Sequence, residues 1–389
     1  MSRSKDLRNP FIVGEYVTGP FFADRKKEQD ELIKELKGGS RIFLVSPRKY
    51  GKTSLLRQVE AQLRKEQYLC AFVDFFYIDS LNQFFSIVVR EIFANSGLLF
   101  EQILNAVKEL LPKLSPKITV EESGYSFSIN KTSGSEDVLM KLDEVMDLPE
   151  RLARKKKSRF IIFFDEFQEI TRLTKDHLSV EKRLRATIQK QKNVSYVFAG
   201  SKQHLLEPML LDEARPFYRM GQLKCLDLIP TKEYEPFIRK KFRQIGSDVA
   251  RDSMSAIMEA AGSVPHFVQL VCHKLWLSKS GSKTRHISID DVRSVVDGVI
   301  AENTPLFVSI WDQLTSNQRK TLRAVVSRAS PQLMSSETAR MFDLESPSSI
   351  QTAMKALMNK GLLKKTSRGY QLEDVFFAEW IARHFALWG

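Results

Sequence analysis

The chain has 389 residues, enough for two or three domains at roughly 100–200 residues each. Apolar residues at 43% and charged residues at 28% are those of a soluble globular protein, and 17 glycines with 14 prolines fall short of the usual share of about 12%. A collagen-like chain and long Pro/Gly-rich disorder are thereby excluded. Sixty basic against 47 acidic residues leave a net charge of +13, which suits nucleic acid or an acidic partner but equally a solvated lysine-rich surface.

No apolar run approaches the roughly 18 residues of a membrane span, so no membrane contact is expected. The opening MSRSKDLRNP is basic but has no apolar run behind it, which argues against a secretory signal and makes the cytoplasm the expected location. Cys70, Cys225 and Cys272 lie far apart in apolar surroundings, without CxxC spacing, and read as reduced core thiols. The six histidines are equally scattered, so no zinc site is expected.

In chain order, Asp24 to Leu36 has a helical spacing of Leu32, Ile33 and Leu36, and GGS ends it. Arg41–Val45 reads as a buried strand, 52–65 as an amphipathic helix and 69–78 as a second buried strand. Residues 82–113 look helical. Residues 117–131 alternate like a hairpin with Gly124 at its turn, and 137–154 look helical again. The basic lip Arg154–Arg159 is a solvated turn or a phosphate contact. FIIFFDEF (160–167), VSYVFAGS (194–201) and QLKCLDL (222–228) supply three more strands, followed by helices over about 231–305. Continuous apolar strands alternating with helices predict an α/β fold, a parallel sheet covered on both faces.

Two segments carry chemistry. Ser46-Pro47-Arg48-Lys49-Tyr50-Gly51-Lys52-Thr53, followed by Ser54, fits the phosphate-loop pattern GxxxxGK[ST] except that Ser46 replaces the first glycine. It stands between a strand and a helix. There, loop amides and the helix N-terminus can wrap phosphates, Gly51 permits close approach, Lys52 neutralises charge and Thr53 ligates magnesium. The second segment places Asp165 at the C-terminal end of a buried strand, where it can hold Mg2+ opposite Thr53. Glu166 next to it can polarise an attacking water. Together they predict a nucleotide site that takes a γ-phosphate and Mg2+. Ser201 either touches the γ-phosphate or caps a turn. Arg48, Arg215 and Arg219 are alternative sources of positive charge, one such arginine being worth roughly 10³–10⁵ in phosphoryl transfer.

Asn9-Pro-Phe11, Gly19 with Phe22 and Arg25, SPRKYGKTSL, FDEFQE, FAGS and PFYR together resemble the archaeal-type ATPase family, an AAA-like group of P-loop ATPases related to the STAND (MNS) signalling ATPases. Loss of the first loop glycine is a habit of that family. The resemblance continues at Gly262-Ser-Val-Pro265-His-Phe-Val-Gln269, like the family's lid box but with Ser263 and Val264 for glycine and histidine. It extends to Asp374–Trp380, with Val375 for the usual proline, and so spans about 9–385. It implies an ATPase core over 1–230 with an insertion at about 100–150, a helical lid over 231–308 and a winged helix over 309–389. It also implies that the Gly19–Arg25 stretch and Pro265 lie near adenine and that Arg219 lies near the γ-phosphate.

The C-terminal residues read as a winged helix on their own account. Thr315–Gln318 is a capping box opening a helix to about Arg328, and Ser335 opens a short second helix. Ser346-Pro347 starts a third, with Ile350, Ala353, Met354, Leu357 and Met358 on one face and Gly361 as its stop. A hairpin wing follows around Arg368-Gly369. Lys355, Lys364, Lys365 and Arg368 can meet duplex DNA, while the same module serves elsewhere as an internal lock or protein dock.

Three functions follow: an ATP-hydrolysing switch, slow without an unidentified protein partner; an ATP-gated DNA-binding regulator or loader with little hydrolysis of its own; and a nucleotide or small-molecule kinase. The Asp165-Glu166 pair favours a water nucleophile over a kinase acceptor. Oligomerisation is left open.

Overall fold

The structure, a computed structural model, describes residues 8–23, 25–94, 102, 103, 105, 109, 117–121, 124–128, 135–280, 286–327, 333–366 and 369–385. Asp24, most of the expected helical stretch over 95–113 and Arg368 therefore lie outside the described residues. The chain forms two compact units, one of residues 18–227 and one joining the N-terminal segment up to Val17 to everything from Leu228 onward.

The first unit begins α1 (Lys26–Lys37), β1 (Arg41–Val45), α2 (Lys52–Lys65), β2 (Leu69–Asp74) and α3 (Leu81–Ala94). A hairpin of β3 (Lys117–Glu121) and β4 (Gly124–Ser128) follows, then α4 (Ser135–Lys156) and β5 (Phe160–Asp165). The unit closes with α5 (His177–Lys190), β6 (Val194–Gly200), α6 (Gln203–Leu211) and β7 (Gln222–Cys225). Five strands pair in the order β2-β5-β6-β1-β7, all parallel. The order reverses at β1, and ligands of such sheets sit beyond the C-terminal ends of the strands at that reversal.

Side-chain alternation decides which helices cover which face. Ile42 and Leu44 of β1 pack with Leu32, Leu36, Leu55 and Val59 of α1 and α2. Phe43 and Val45 join the opposite core, with the phenylalanines of α3, β5 and β6. Phe43 stacks on Phe198 at 4.7 Å between ring centroids, and Phe167 meets the same ring at 4.8 Å. Each such fully buried ring contributes about 1.5–3 kcal/mol, so the strand ends that carry polar groups are held by a tightly packed aromatic floor.

Several expectations are shortened. β2 ends at Asp74 because the Asp74 carboxylate accepts the Phe76 N–H at 2.9 Å and turns the chain into a 3-10 helix over Phe75–Tyr77. Gly124 opens β4, opposite Glu121, and the turn residues 122–123 are outside the described residues. β7 stops at Cys225. Being on an edge strand, Cys225 is exposed, whereas Cys70 and Cys272 are buried, so two of the three cysteines are core thiols.

In the second unit, α7 (Thr231–Arg243), α8 (Arg251–Ala260), α9 (Pro265–Lys279) and α10 (Ile289–Asp312) are joined by a short parallel pair, β8 (Asp248–Val249) with β9 (His286–Ile287), that helical periodicity did not foretell. The N-terminal segment belongs here. Asn9 Nδ2 donates to the His273 carbonyl at 3.1 Å, the Phe11 carbonyl meets His273 Nδ1 at 2.6 Å, and the Phe11 ring is buried 5.1 Å from Phe242.

Then come α11 (Ser316–Val326), α12 (Ser336–Met341), α13 (Pro347–Asn359), the hairpin β10 (Leu363–Thr366) with β11 (Gly369–Leu372), and α14 (Val375–Phe385). The Thr315–Gln318 and Ser346 caps form as expected, and Ile350, Ala353, Met354 and Leu357 are buried. Gly361 stands one residue past the C-cap Lys360 at φ +70°, a left-handed position that glycine fills without strain. α14 is pinned to α10 by aromatic contacts, Phe307 to Phe377 at 5.3 Å and Trp311 to Phe385 at 4.6 Å. No described helix is long and apolar enough to cross a membrane.

Candidate functional site

The turn from β1 into α2 carries the phosphate-loop residues. β1 ends at Val45, Ser46 N donates to the Gly200 carbonyl at 3.4 Å, and Pro47 allows no further ladder bond. Lys49 and Gly51 both adopt left-handed backbone, at φ +69° and +83°, so the loop curls tightly before α2 starts at Lys52. Gly51 has open space where a Cβ would stand. The first amides of α2 have no intrahelical acceptor and make an anion site of the loop. Tyr50, Lys52 and Ser54 are buried, and Arg48 and Lys49 are exposed.

Across the sheet edge, Lys52 Nζ forms an ion pair with Asp165 and lies 3.2 Å from Glu166 Oε1. Thr53 Oγ1 donates to Asp165 Oδ2 at 2.6 Å. Residues from β1–α2 and from β5, two strands apart in the sheet, thus meet at one point. Burial alone would lower the Lys52 pKa, but the Asp165 and Glu166 carboxylates outweigh it and hold the ammonium charged above its ordinary range. Burial likewise pushes Glu166 up, and Lys52 with the hydrogen bonds of Gln168 and Ser201 more than reverses it, so Glu166 is ionised below the usual carboxylate range.

Glu166 adopts left-handed backbone at φ +49°, costly for a residue with a Cβ and a pattern found at functional sites. Its Oε2 accepts from Ser201 Oγ at 2.8 Å and from Gln168 Nε2 at 2.6 Å. Ser201 therefore sits within the site, bonded to Glu166. The Ser46 hydroxyl and Gln168 Oε1 are buried without a hydrogen-bond partner. An orphaned hydroxyl beside an amide-lined turn fits a loop that bonds an oxyanion. One acid and one hydroxyl at hydrogen-bond distance are also the modest protein donor set that Mg2+ takes when phosphates and water complete its shell.

Three residues enter that motif reading did not name. Gln168 orients Glu166. Gly200, at the end of β6, makes room for it, since a Cβ there would lie 2.2 Å from Gln168 Oε1. Asp74 closes β2 in register with Asp165. Burial raises its pKa, and the neighbouring Asp165 and Glu166 charges raise it further. LCAFVD ends an apolar run in an acid as FIIFFD does, and that signal was present in the sequence.

Other expected residues are distributed differently. Gly19 N donates to Gln58 Oε1 of α2 at 2.9 Å, which sets the Gly19 stretch beside the helix that follows the loop. Arg25 is buried, and its Nη2 donates to the Tyr50 carbonyl at 3.1 Å and the Asp227 carbonyl at 2.7 Å. Arg215 is not available as a finger, because its guanidinium pairs at 2.6 Å with Glu181, which is fully buried. Arg219 is exposed, its guanidinium 5.0 Å from the Tyr218 ring centroid. Pro265 lies in the other unit, at the first position of α9. Of the wing cations, Lys355 and Lys365 are exposed. Lys364 is buried, which removes it from the expected DNA-contacting set, and Arg368 lies outside the described residues.

The profile of a family described as "ATPase domain predominantly from Archaea" matches residues 22–271, and one described as "Probable winged helix domain" matches residues 305–383. Among solved structures, the chain is similar to the Walker-type ATPase of Pyrococcus abyssi, at 15% identity and a TM-score of 0.62 over 95% of this chain and 99% of that one. It is also similar to the ORC2 protein of Aeropyrum pernix, solved in ADPNP and ADP complexes, at 14% identity and a TM-score of 0.56 over 97% of this chain and 96% of that one. At such identities the likeness is one of fold. No curated protein matches the chain significantly.

Proposed function

The chain belongs to the ATPase-domain family found predominantly in Archaea, and from that premise we propose that it binds and hydrolyses ATP as a molecular switch of the AAA/STAND type. The observation that carries the reading is the meeting of Thr53, Lys52 and Asp165 at one sheet edge, with Thr53 Oγ1 2.6 Å from Asp165 Oδ2. ATP is the favoured nucleotide because of the family and because the Aeropyrum pernix protein of the same fold was solved with ADPNP and ADP.

The loop from Ser46 to Ser54 cradles the phosphates with its amides, and Lys52 exchanges its carboxylate partners for β/γ-phosphate oxygens. Thr53 and Asp165 would hold Mg2+, which supplies charge neutralisation on the phosphate oxygens when bound. Glu166, kept ionised and aimed by Gln168 and Ser201, accepts the proton of the attacking water. Ser201 stands ready to report the γ-phosphate. Gly19 and Arg25 lie toward adenine in this reading. Arg25 additionally ties the loop, through Tyr50, to Asp227, the last residue before the chain enters the second unit. That tie supports a nucleotide state that governs the lid and winged helix. Arg215 is committed to Glu181 and Arg219 lies on the surface, which supports slow turnover until a partner engages.

Isothermal titration with Mg-ATP and a phosphate-release assay test the reading together. Lys52→Ala should lose most of the affinity, and Glu166→Gln should bind normally without turnover. Unchanged affinity in the first, or full turnover in the second, overturns the assignment.

A further inference from the structure

The strands of the five-stranded sheet point toward the candidate nucleotide site, and their starting ends form the opposite edge. Four helices feed that edge, each ending a few residues before a strand begins: α1 before β1, α2 before β2, α4 before β5 and α5 before β6. Those four strands are neighbours, in the order β2-β5-β6-β1. All four helices close on cations. α1 ends with Lys34 and Lys37, and α2 with Arg64 and Lys65. α4 ends with Arg154, Lys155 and Lys156, and Lys157 and Arg159 occupy the turn beyond. α5 ends with Lys190, and Lys192 follows it.

Acids on this edge are few and already engaged. Glu66 pairs with Lys37, Glu35 with Lys224, Glu150 with Arg154 and Glu109 with Lys155. Lys34, Lys65, Lys156, Lys157, Lys190 and Lys192 are exposed and have no acidic partner among the described residues. A cation in the last turn stabilises a helix by about 0.3–1 kcal/mol through its dipole. That accounts for one or two per helix but not for Lys157, Arg159 and Lys192, which lie past the helix ends.

The turns are braced into one surface. Arg159 Nη1 donates to the Lys192 carbonyl at 3.2 Å, and Arg41 Nη2 to the Ile188 carbonyl at 2.8 Å. Gly39, at φ +93°, lets the Arg159 guanidinium lie so close that a Cβ would stand 2.9 Å from Nη1.

We infer that this edge is a binding surface for the phosphate backbone of duplex DNA, read without regard to sequence. Four strands spaced 4.7–4.9 Å apart span about 15 Å, and that length of duplex carries about nine phosphate charges. Unpaired lysines on long stems act as point charges suited to phosphate rather than to base edges. A lipid surface fits less well, because none of the exposed large apolar side chains lies in these turns and charge alone anchors weakly to a bilayer. A strand of five or six residues separates this edge from Thr53 and Asp165 by about 17–20 Å, so DNA held here leaves the candidate nucleotide site open. The inference does not depend on the proposed ATPase activity.

The test is fluorescence anisotropy of the full chain with a labelled 30-base-pair duplex of mixed sequence, between 50 and 200 mM salt. The variant Lys156→Gln/Lys157→Gln/Lys190→Gln/Lys192→Gln should weaken binding at least tenfold at the low-salt end. It should also flatten the slope of log affinity against log salt by about 0.9 for each phosphate no longer neutralised. The matching quadruple Lys→Arg variant should bind as the unaltered chain does. Absence of duplex binding by the unaltered chain, or an unchanged affinity and slope in the glutamine variant, overturns the inference. So does rim-dependent binding to phosphatidylserine vesicles with none to the duplex.

Discussion

Gly200→Ala tests whether the residue that aims Glu166 depends on empty space at the end of β6. The new Cβ would stand 2.2 Å from Gln168 Oε1 and 3.0 Å from Leu206 Cδ2. Non-bonded heavy atoms settle about 3.5 Å apart, so the Gln168 carboxamide has to move by about 1 Å. Its 2.6 Å bond to Glu166 Oε2 does not survive that displacement. A hydrogen bond to a charged group is worth about 1.5–3 kcal/mol, which corresponds to about a 10- to 150-fold loss of turnover if the bond is needed to hold the base in line. Stability should fall only by about 1 kcal/mol, the low end for added methyls, because the displaced atom is the tip of a long side chain. In steady-state phosphate release, kcat should drop while KM for ATP stays near its original value. The decisive comparison is the double variant. If the effect passes through Gln168, adding Gly200→Ala to Gln168→Ala should change little further. Full multiplicative losses, or undiminished turnover in Gly200→Ala alone, would show the reasoning to be wrong.

Arg215→Ala leaves the fully buried Glu181 without its partner and should destabilise the fold by about 3 kcal/mol, the lower part of the range for a broken buried pair because Arg215 itself is partly exposed. Burial already pushes the Glu181 pKa up despite Arg215. Its ionised form is therefore the one that disfavours folding, and the penalty of the variant should grow as pH rises above the ordinary carboxylate range and shrink below it. Urea unfolding at pH 4.5 and 7.5 measures this, and an equal penalty at both values would refute it. Arg25→Met should lower ATP affinity by about tenfold, since loss of a charge-assisted bond to the Tyr50 carbonyl loosens the loop. Titration with Mg-ATP checks this, and unaltered affinity counts against it.

The strand–loop–helix frame was legible because its signals are local: an apolar run, a turn with one obligate glycine, and an acid closing another apolar run. Thr53 and Asp165 could be paired in advance for that reason. What the sequence did not disclose depends on partners distant along the chain. Arg215 looks like a free surface arginine until Glu181, 34 residues earlier, is found beside it in the fold. Lys364 alternates outward in the pattern LKKT and is nonetheless buried. The role of Gly200 in clearing space for Gln168 appears only when β6 and the segment after β5 are laid side by side.

The contact between Phe11 and His273 bridges 262 residues of chain. At a ribosomal pace of about 5–20 residues per second, its two halves leave the ribosome roughly 13–50 seconds apart. During that interval all of residues 18–227 has emerged and can close on itself, while the N-terminal segment stays unpaired. The hydrogen bonds of Asn9 Nδ2 and the Phe11 carbonyl therefore wait for α9, and a nascent chain arrested before that helix would present these polar groups to quality-control factors.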